Sequence, residues 1–248
     1  MIQKNILNPL PNPAAVVQRS GVRFTVLTSR LIRLEWAEDG AFQDQASFVF
    51  LHRHLPTPEF TVTTAEGWLE IRTSHLTLRY REASGAFSAE NLSIHFSLNG
   101  QTVTWRPGTP DVQNLRGTTR TLDRVKGATS LEEGILSRAG WTLIDDSERP
   151  LFDHADWPWV QSRPQKVAYD WYFFGYGHAY KEALGDFVRV AGRIPLPPRY
   201  AFGAWWSRYW PDTDQELKEL VEEFERYDVP LDVLVVDMDW TSTLRSSG

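Results

Sequence analysis

Between residues 22 and 98, apolar side chains recur at every second position. Val22, Phe24 and Val26 alternate with polar neighbours, and Ile32, Leu34 and Trp36 repeat the pattern. Leu69 and Ile71 continue it, followed by Leu76, Leu78 and Tyr80, and by Leu92, Ile94, Phe96 and Leu98. Successive side chains of a strand point to opposite sides of the sheet, so this period predicts strands with one buried face each. Turn-forming residues separate the runs at Glu38-Asp39-Gly40, Ala65-Glu66-Gly67, Ser84-Gly85 and Asn99-Gly100. The last of these, between Leu98 and Val103, is a two-residue hairpin signal. Short alternating strands at regular spacing predict an antiparallel sandwich.

From about residue 107 to 178 the pattern loosens. Polar loop material gives way to Trp141, Leu143 and Ile144, then to an aromatic block made of Trp157, Trp159, Trp171, Tyr172, Phe173, Phe174 and Tyr176. The block reads as core or as a domain interface, and Glu132-Glu133 and Asp145-Asp146 read as solvated turns. Over 179–191 the period becomes helical, with Tyr180, Leu184, Phe187 and Val190 on one face and Gly192 at the stop. Pro195-Leu196-Pro197-Pro198 is rigid and poor in donors, and it sets a boundary between domains 1–194 and 195–248. Beyond it, Ala201 to Trp206 reads as a short buried strand. Thr213 and Glu216 form a capping box, and Leu217, Leu220, Val221 and Phe224 make one helical stripe. Val233-Leu234-Val235-Val236 is unbroken and suits a strand covered on both faces. Strand, helix and strand form a βαβ unit, whose crossover is right-handed.

Composition narrows the function. The chain has 248 residues, 26 Lys plus Arg against 32 Asp plus Glu, no Cys and eleven Trp. A net charge of −6 disfavours a nucleic-acid or anionic-membrane partner. No apolar run approaches the roughly 20 residues of a membrane helix. The first twenty residues lack the apolar core of a secretory signal, so the expected location is cytoplasmic. Without Cys there is no thiol catalysis or zinc–thiolate site, and the six His form no ligand set with carboxylates; His52 and His54 read as a solvated strand edge. No Gly-x-Ser-x-Gly elbow, phosphate loop or dinucleotide fingerprint is present. Neither a metal nor a cofactor is expected.

Chemistry concentrates after the boundary. Ligands of parallel α/β sheets meet the carboxyl ends of the strands. Those ends read Trp205-Trp206-Ser207-Arg208-Tyr209-Trp210 and Asp237-Met238-Asp239-Trp240. Aromatic faces cover the C–H surface of a sugar, while carboxylates and Arg bond its hydroxyls. The competing reading gives Asp237 a helix cap or a salt bridge to Arg208.

LPPRYAFGAWWSRYW, the helix, and VPLDVLVVDMDW resemble the opening of the catalytic barrel of glycoside hydrolase family 31. GTTRTLD, ILSRAGWTLIDDS and YDWYFFGYGHAYKEALGDF resemble the segments that precede that barrel. The resemblance implies a mainly β chain: a galactose-mutarotase-like β-sandwich, then the first βαβ unit of a truncated (β/α)8 barrel. It implies that Asp237 bonds the non-reducing sugar of an α-linked glycoside, with Met238 and Trp240 beside it and Trp206 and Arg208 supporting the pocket. It also implies an acidic residue from a sandwich loop, here Asp123. The family's nucleophile follows the fourth barrel strand and its acid/base the sixth, so no catalytic residue is assigned within 1–248. Thr241 departs from the His found there in related members, and the tail 241–248 is polar and unlike the family. Two classes follow: part of a retaining α-glycosidase, inactive alone, or a non-catalytic carbohydrate-binding or interaction sandwich.

Overall fold

The computed structural model describes residues 7–119, 121–153, 155, 159–164 and 168–240. Trp157, His154 and the tail 241–248 lie outside them. The chain divides into two compact units, Met1–Arg193 and Ile194–Gly248.

In the first unit the chain lays down β1 (Val16–Arg19), β2 (Val22–Val26) and β3 (Leu31–Ala37). It then builds β4 (Phe60–Ala65), β5 (Trp68–Thr73), β6 (Leu76–Arg81), β7 (Leu92–Leu98) and β8 (Gln101–Trp105) as one antiparallel meander in spatial order. After a long loop come β9 (Thr142–Asp145), the short hairpin of β10 (Leu151–Phe152) and β11 (Val160–Gln161), and β12 (Ala168–Phe174). β12 returns to pair with β3 and β9, so the first sheet runs β1-β2-β3-β12-β9. The chain is mainly β, as the alternation predicts.

The two sheets face each other through Phe24, Ile32, Leu34, Ile71, Leu78, Ile94, Trp105 and Phe173. The turns fall where they are expected. Asn99 and Gly100 have φ of 52° and 79°, the paired left-handed geometry of a tight hairpin, and Leu98 pairs with Gln101 across it.

The first sheet departs from the expected pattern because both of its faces are covered. All five residues of β2 are buried. Behind it, Leu31, Tyr172, Phe174 and Tyr176 pack with Phe50 and with Ala183 and Val190 of α1 (Tyr180–Ala191). On α1 the buried position is Ala183 rather than Leu184, which is 44% exposed. A small residue lets the helix axis approach the sheet. Among the described residues, the aromatic block from Trp171 to Tyr176 is therefore core, whereas Trp159 is exposed.

The second unit holds a 3-10 turn at Arg199–Phe202, β13 (Trp205–Trp206), α2 (Asp214–Arg226) and β14 (Val233–Leu234). Here two expectations are corrected. The stretch 201–206 is strand only at its last two residues, and both of those are exposed. The run 233–236 is strand at Val233–Leu234 and half-buried, not covered on both faces. A parallel pair gains its cover from helices and further strands on each side, and the described residues of this unit contain one α-helix. The capping box forms as predicted: the Thr213 hydroxyl accepts from the Glu216 amide at 3.2 Å, and the Glu216 carboxylate accepts from the Thr213 amide at 2.7 Å. Leu217, Leu220, Val221 and Phe224 are the half-buried stripe of α2.

Candidate functional site

The site rests on the parallel pairing of β13 with β14, in which Trp205 lies opposite Val233 and Trp206 opposite Leu234. The Ala204 carbonyl accepts from the Asp232 and Val233 amides, and the Trp206 carbonyl accepts from the Val235 amide at 2.9 Å. Parallel register sends both carboxyl ends the same way. Arg208, Tyr209 and Trp210 follow one strand, and Asp237 to Trp240 follow the other. The two segments come near each other, since Asp239, and after it the charge of Asp237, raise the Tyr209 phenol above its usual range.

Asp237 is half-buried, and its Oδ1 accepts from the Met238 amide at 2.7 Å. It makes no salt bridge to Arg208, whose guanidinium pairs with Asp212. Met238 and Trp240 are exposed, at 79% and 51%. Trp206 differs from the others, because its ring sits edge-on against Phe224 of α2 with centroids 5.4 Å apart. Its indole therefore braces the helix against the strand. The unit thus gathers a carboxylate, a thioether and an indole on one segment beside a guanidinium and a phenol on the other.

Asp123 lies in the first unit, exposed, in the loop between Asp111 and Ser137. Its amide donates to the Thr121 hydroxyl at 3.0 Å. The neck of the loop is closed by Asn114, whose carboxamide donates to Asp111 and to the Gly134 carbonyl and accepts from the Arg116 and Gly134 amides. An amide with donors and acceptors all engaged holds the neck shut while the tip stays in solvent.

Sequence reasoning missed Tyr209 and Asp239 as partners. It also misjudged Asp146. Asp145 is exposed as expected, but the Asp146 side chain is fully buried beneath Arg163, which contacts it at 2.8 Å. Asp146 belongs to a charge cluster on the face of the first sheet that turns away from the second sheet. There Arg33, fully buried, grips Asp170 with Nε and Nη2 at 2.7 and 2.8 Å. Arg23 grips Glu35 at 2.7 and 2.8 Å, and Arg53 Nε donates to the Tyr172 hydroxyl at 2.6 Å. The alternation of Arg33 and Glu35 with Ile32, Leu34 and Trp36 was the available signal, and it reads like a solvated strand face unless loops are known to cover it.

Among the described residues, no group of three or more His, Cys, Asp or Glu is placed to hold a metal ion. Nor is any helix there long and apolar enough to cross a membrane.

Comparison with known proteins shows what this geometry is similar to. Residues 194–246 match the glycosyl hydrolases family 31 TIM-barrel domain. Alpha-glucosidase 2 of Bacillus thermoamyloliquefaciens is 38% identical over 78 residues, 32% of this chain and 10% of the relative. The alpha-xylosidase of Saccharolobus solfataricus is 32% identical over 66 residues, 27% of this chain and 9% of that protein. The matched stretches thus span about a tenth of these curated relatives. Among solved structures, the family 31 alpha-xylosidase from a soil metagenome, complexed with xylose, aligns with a TM-score of 0.59 at 15% identity over 90% of this chain and 40% of its own. The Flavobacterium johnsoniae dextranase complexed with glucose aligns at 0.54 and 16% identity, over 89% and 31%. At such identities the structures establish a shared fold, a β-sandwich followed by part of a barrel. The barrel segment 194–246 thus matches glycoside hydrolase family 31, and the chain shares the fold of solved family 31 structures, of which it spans part of the length.

Proposed function

We propose that the chain supplies the sandwich and the sugar-reading start of the barrel to a retaining α-glycoside hydrolase, with α-linked glucosides or xylosides as substrate class. The observation that carries the reading is the parallel β13–β14 pair, whose two carboxyl ends set Arg208 and Tyr209 beside Asp237–Trp240. Asp237 bonds the hydroxyls of a non-reducing sugar, and Met238 and Trp240 cover its C–H surface. Arg208 and Trp206 act behind them, one through Asp212 and the other through Phe224. The xylose- and glucose-bound structures of the same fold support a saccharide ligand.

Retaining hydrolysis needs two carboxylates about 5–5.5 Å apart, one attacking and one protonating. In the second unit, the Asp212 carboxylate is paired with the Arg208 guanidinium. Barrel strands other than β13 and β14 contribute the reacting pair, and these residues bind without turnover.

The test is a titration of the full chain with methyl α-glucoside and methyl α-xyloside, followed by NMR at Trp240 and Met238. Saturable shifts that weaken about 10–100-fold in Asp237→Asn are expected, the loss of one charged hydrogen bond of about 1.5–3 kcal/mol. Aryl α-glycosides are expected to stay intact. Turnover abolished by Asp237→Asn would sink the claim that these residues only bind. Absence of any sugar-induced shift would favour an interaction sandwich with no saccharide ligand.

A further inference from the structure

The chain has six asparagines, and five of them lie among the described residues. The backbone nitrogen of the next residue can attack an asparagine side chain if it has a proton to lose and the carboxamide is free to meet it. Asn8 and Asn12 precede Pro9 and Pro13, whose nitrogens carry no proton. The Asn91 carboxamide is held on both sides. Its nitrogen donates to the Ala86 and Ser84 carbonyls at 2.7 and 3.4 Å, and its oxygen accepts from the Ser88 amide at 2.7 Å. At Asn114 the carboxamide makes four bonds across the loop neck.

Asn99 differs from these four. It stands exposed with Gly100 at the tip of the β7–β8 hairpin. Among the described residues, neither the Asn99 carboxamide nor the Gly100 amide has a hydrogen-bond partner. Gly100 has no side chain to shield its nitrogen, and beyond its chain neighbours nothing lies within 4 Å of the place a Cβ would take. One feature restrains the pair. The φ values of 52° and 79° belong to a tight turn closed by Leu98 and Gln101. In left-handed backbone the Gly100 nitrogen points away from the Asn99 Cβ, whereas a five-membered ring needs the two on one side.

We propose that Asn99 is a site of spontaneous deamidation, gated by opening of the β7–β8 turn. In the open turn the Gly100 nitrogen gives its proton to a solvent base and bonds to the Asn99 Cγ. The bond from Cγ to the side-chain nitrogen breaks, and ammonia leaves with a proton from water. The product is a cyclic imide, and water then adds to either of its carbonyls. Breaking the bond from Cγ to the Gly100 nitrogen leaves aspartate. Breaking the main-chain bond leaves isoaspartate, with Gly100 attached through the side chain. Aspartate keeps the backbone length and adds a negative charge. Isoaspartate lengthens the loop by one carbon, which a turn of two residues cannot absorb without disturbing the Leu98–Gln101 pair. β8 is an edge strand and has no neighbour on its far side to hold it, while Leu98 packs against the core.

The experiment is peptide mapping by mass spectrometry of the full chain aged in mildly alkaline buffer, beside a synthetic peptide of residues 95–104. Opening the turn costs one or two hydrogen bonds, so Asn99 is expected to convert about 5–30-fold more slowly than in the peptide. The rate is expected to climb with pH, since the attacking nitrogen must lose its proton. Asn91 and Asn114 are expected to keep their amides over the same period. Slowing by more than about 100-fold overturns the proposal, as does conversion of Asn91 or Asn114 at the pace of Asn99. So does a rate that ignores pH. In Asn99→Gln the longer side chain would have to close a six-membered ring, and conversion at position 99 is expected to slow; an equal pace in that variant overturns the route through Gly100.

Discussion

Replacing Asp170 by Asn tests whether the buried charge cluster holds the sandwich together. Asp170 is 4% exposed and Arg33 is 0% exposed. Oδ1 of Asp170 accepts from Arg33 Nε at 2.7 Å, while Oδ2 accepts from Arg33 Nη2 at 2.8 Å and from Arg163 at 3.0 Å. Asparagine keeps the shape but turns one of these acceptors into a donor. Whichever way the amide faces, at least one guanidinium N–H then meets another N–H, and Arg33 keeps its charge out of water. Removing one partner of a buried pair costs about 3–5 kcal/mol. Against a domain stability of about 5–15 kcal/mol, that is about a fifth of the total or more. Urea unfolding followed by tryptophan fluorescence reads it, since Trp105, Trp141 and Trp171 all sit in or against the sandwich core. With a slope of about 2–3 kcal/mol/M, the midpoint should fall by about 1–2.5 M. A loss below about 1 kcal/mol would refute the reasoning. Replacing both partners, Arg33→Met with Asp170→Leu, should recover most of the loss, because no buried charge is left alone. The pH dependence has a definite sign. Burial alone would raise the Asp170 carboxyl, but Arg33 outweighs it and holds the group well below the ordinary carboxylate range. The stabilisation is therefore complete above 3.8, the ordinary value, and is lost as pH falls through the depressed folded value.

Two further substitutions probe the packing. Phe173 is fully buried, 5.0 Å from the Trp105 ring and stacked at 8° on Trp141, so Phe173→Ala should cost about 3–5 kcal/mol in the same urea assay. An effect under about 1 kcal/mol would mean that the core collapses into the space. At Gly140, φ is +80° and an added Cβ would lie 3.0 Å from the Gly177 Cα and from Leu98 Cδ1. Gly140→Ala should therefore lose about 1–2 kcal/mol from the left-handed backbone alone, and more from the contact with Gly177, with an unchanged midpoint as the contrary result.

Much of the sandwich was legible one strand at a time. The alternation in Leu76-Leu78-Tyr80 and the Asn99-Gly100 pair each fix a local choice, since side-chain period and turn geometry depend on residues that are neighbours in sequence. Thr213 and Glu216 are legible for the same reason: the cap closes within three residues. The sequence also named the residues at the carboxyl ends of β13 and β14, because parallel strands joined by a helix leave their ends on one side.

What only the tertiary structure decided lies across long separations. β12 pairs with β3 although about 130 residues part them, and no local period announces that register. Arg33 and Asp146 look solvated in sequence because charge normally stays in water. Here the 41–53 loop and the hairpin after β9 cover that face, and the charges are tolerable only because each finds a partner from a distant strand. Likewise the contact of Trp206 with Phe224 is not legible in sequence, because the side of a strand that faces its helix is set by packing. Local chemistry follows from the order of residues; burial and pairing follow from which segments meet, and folding alone brings those together.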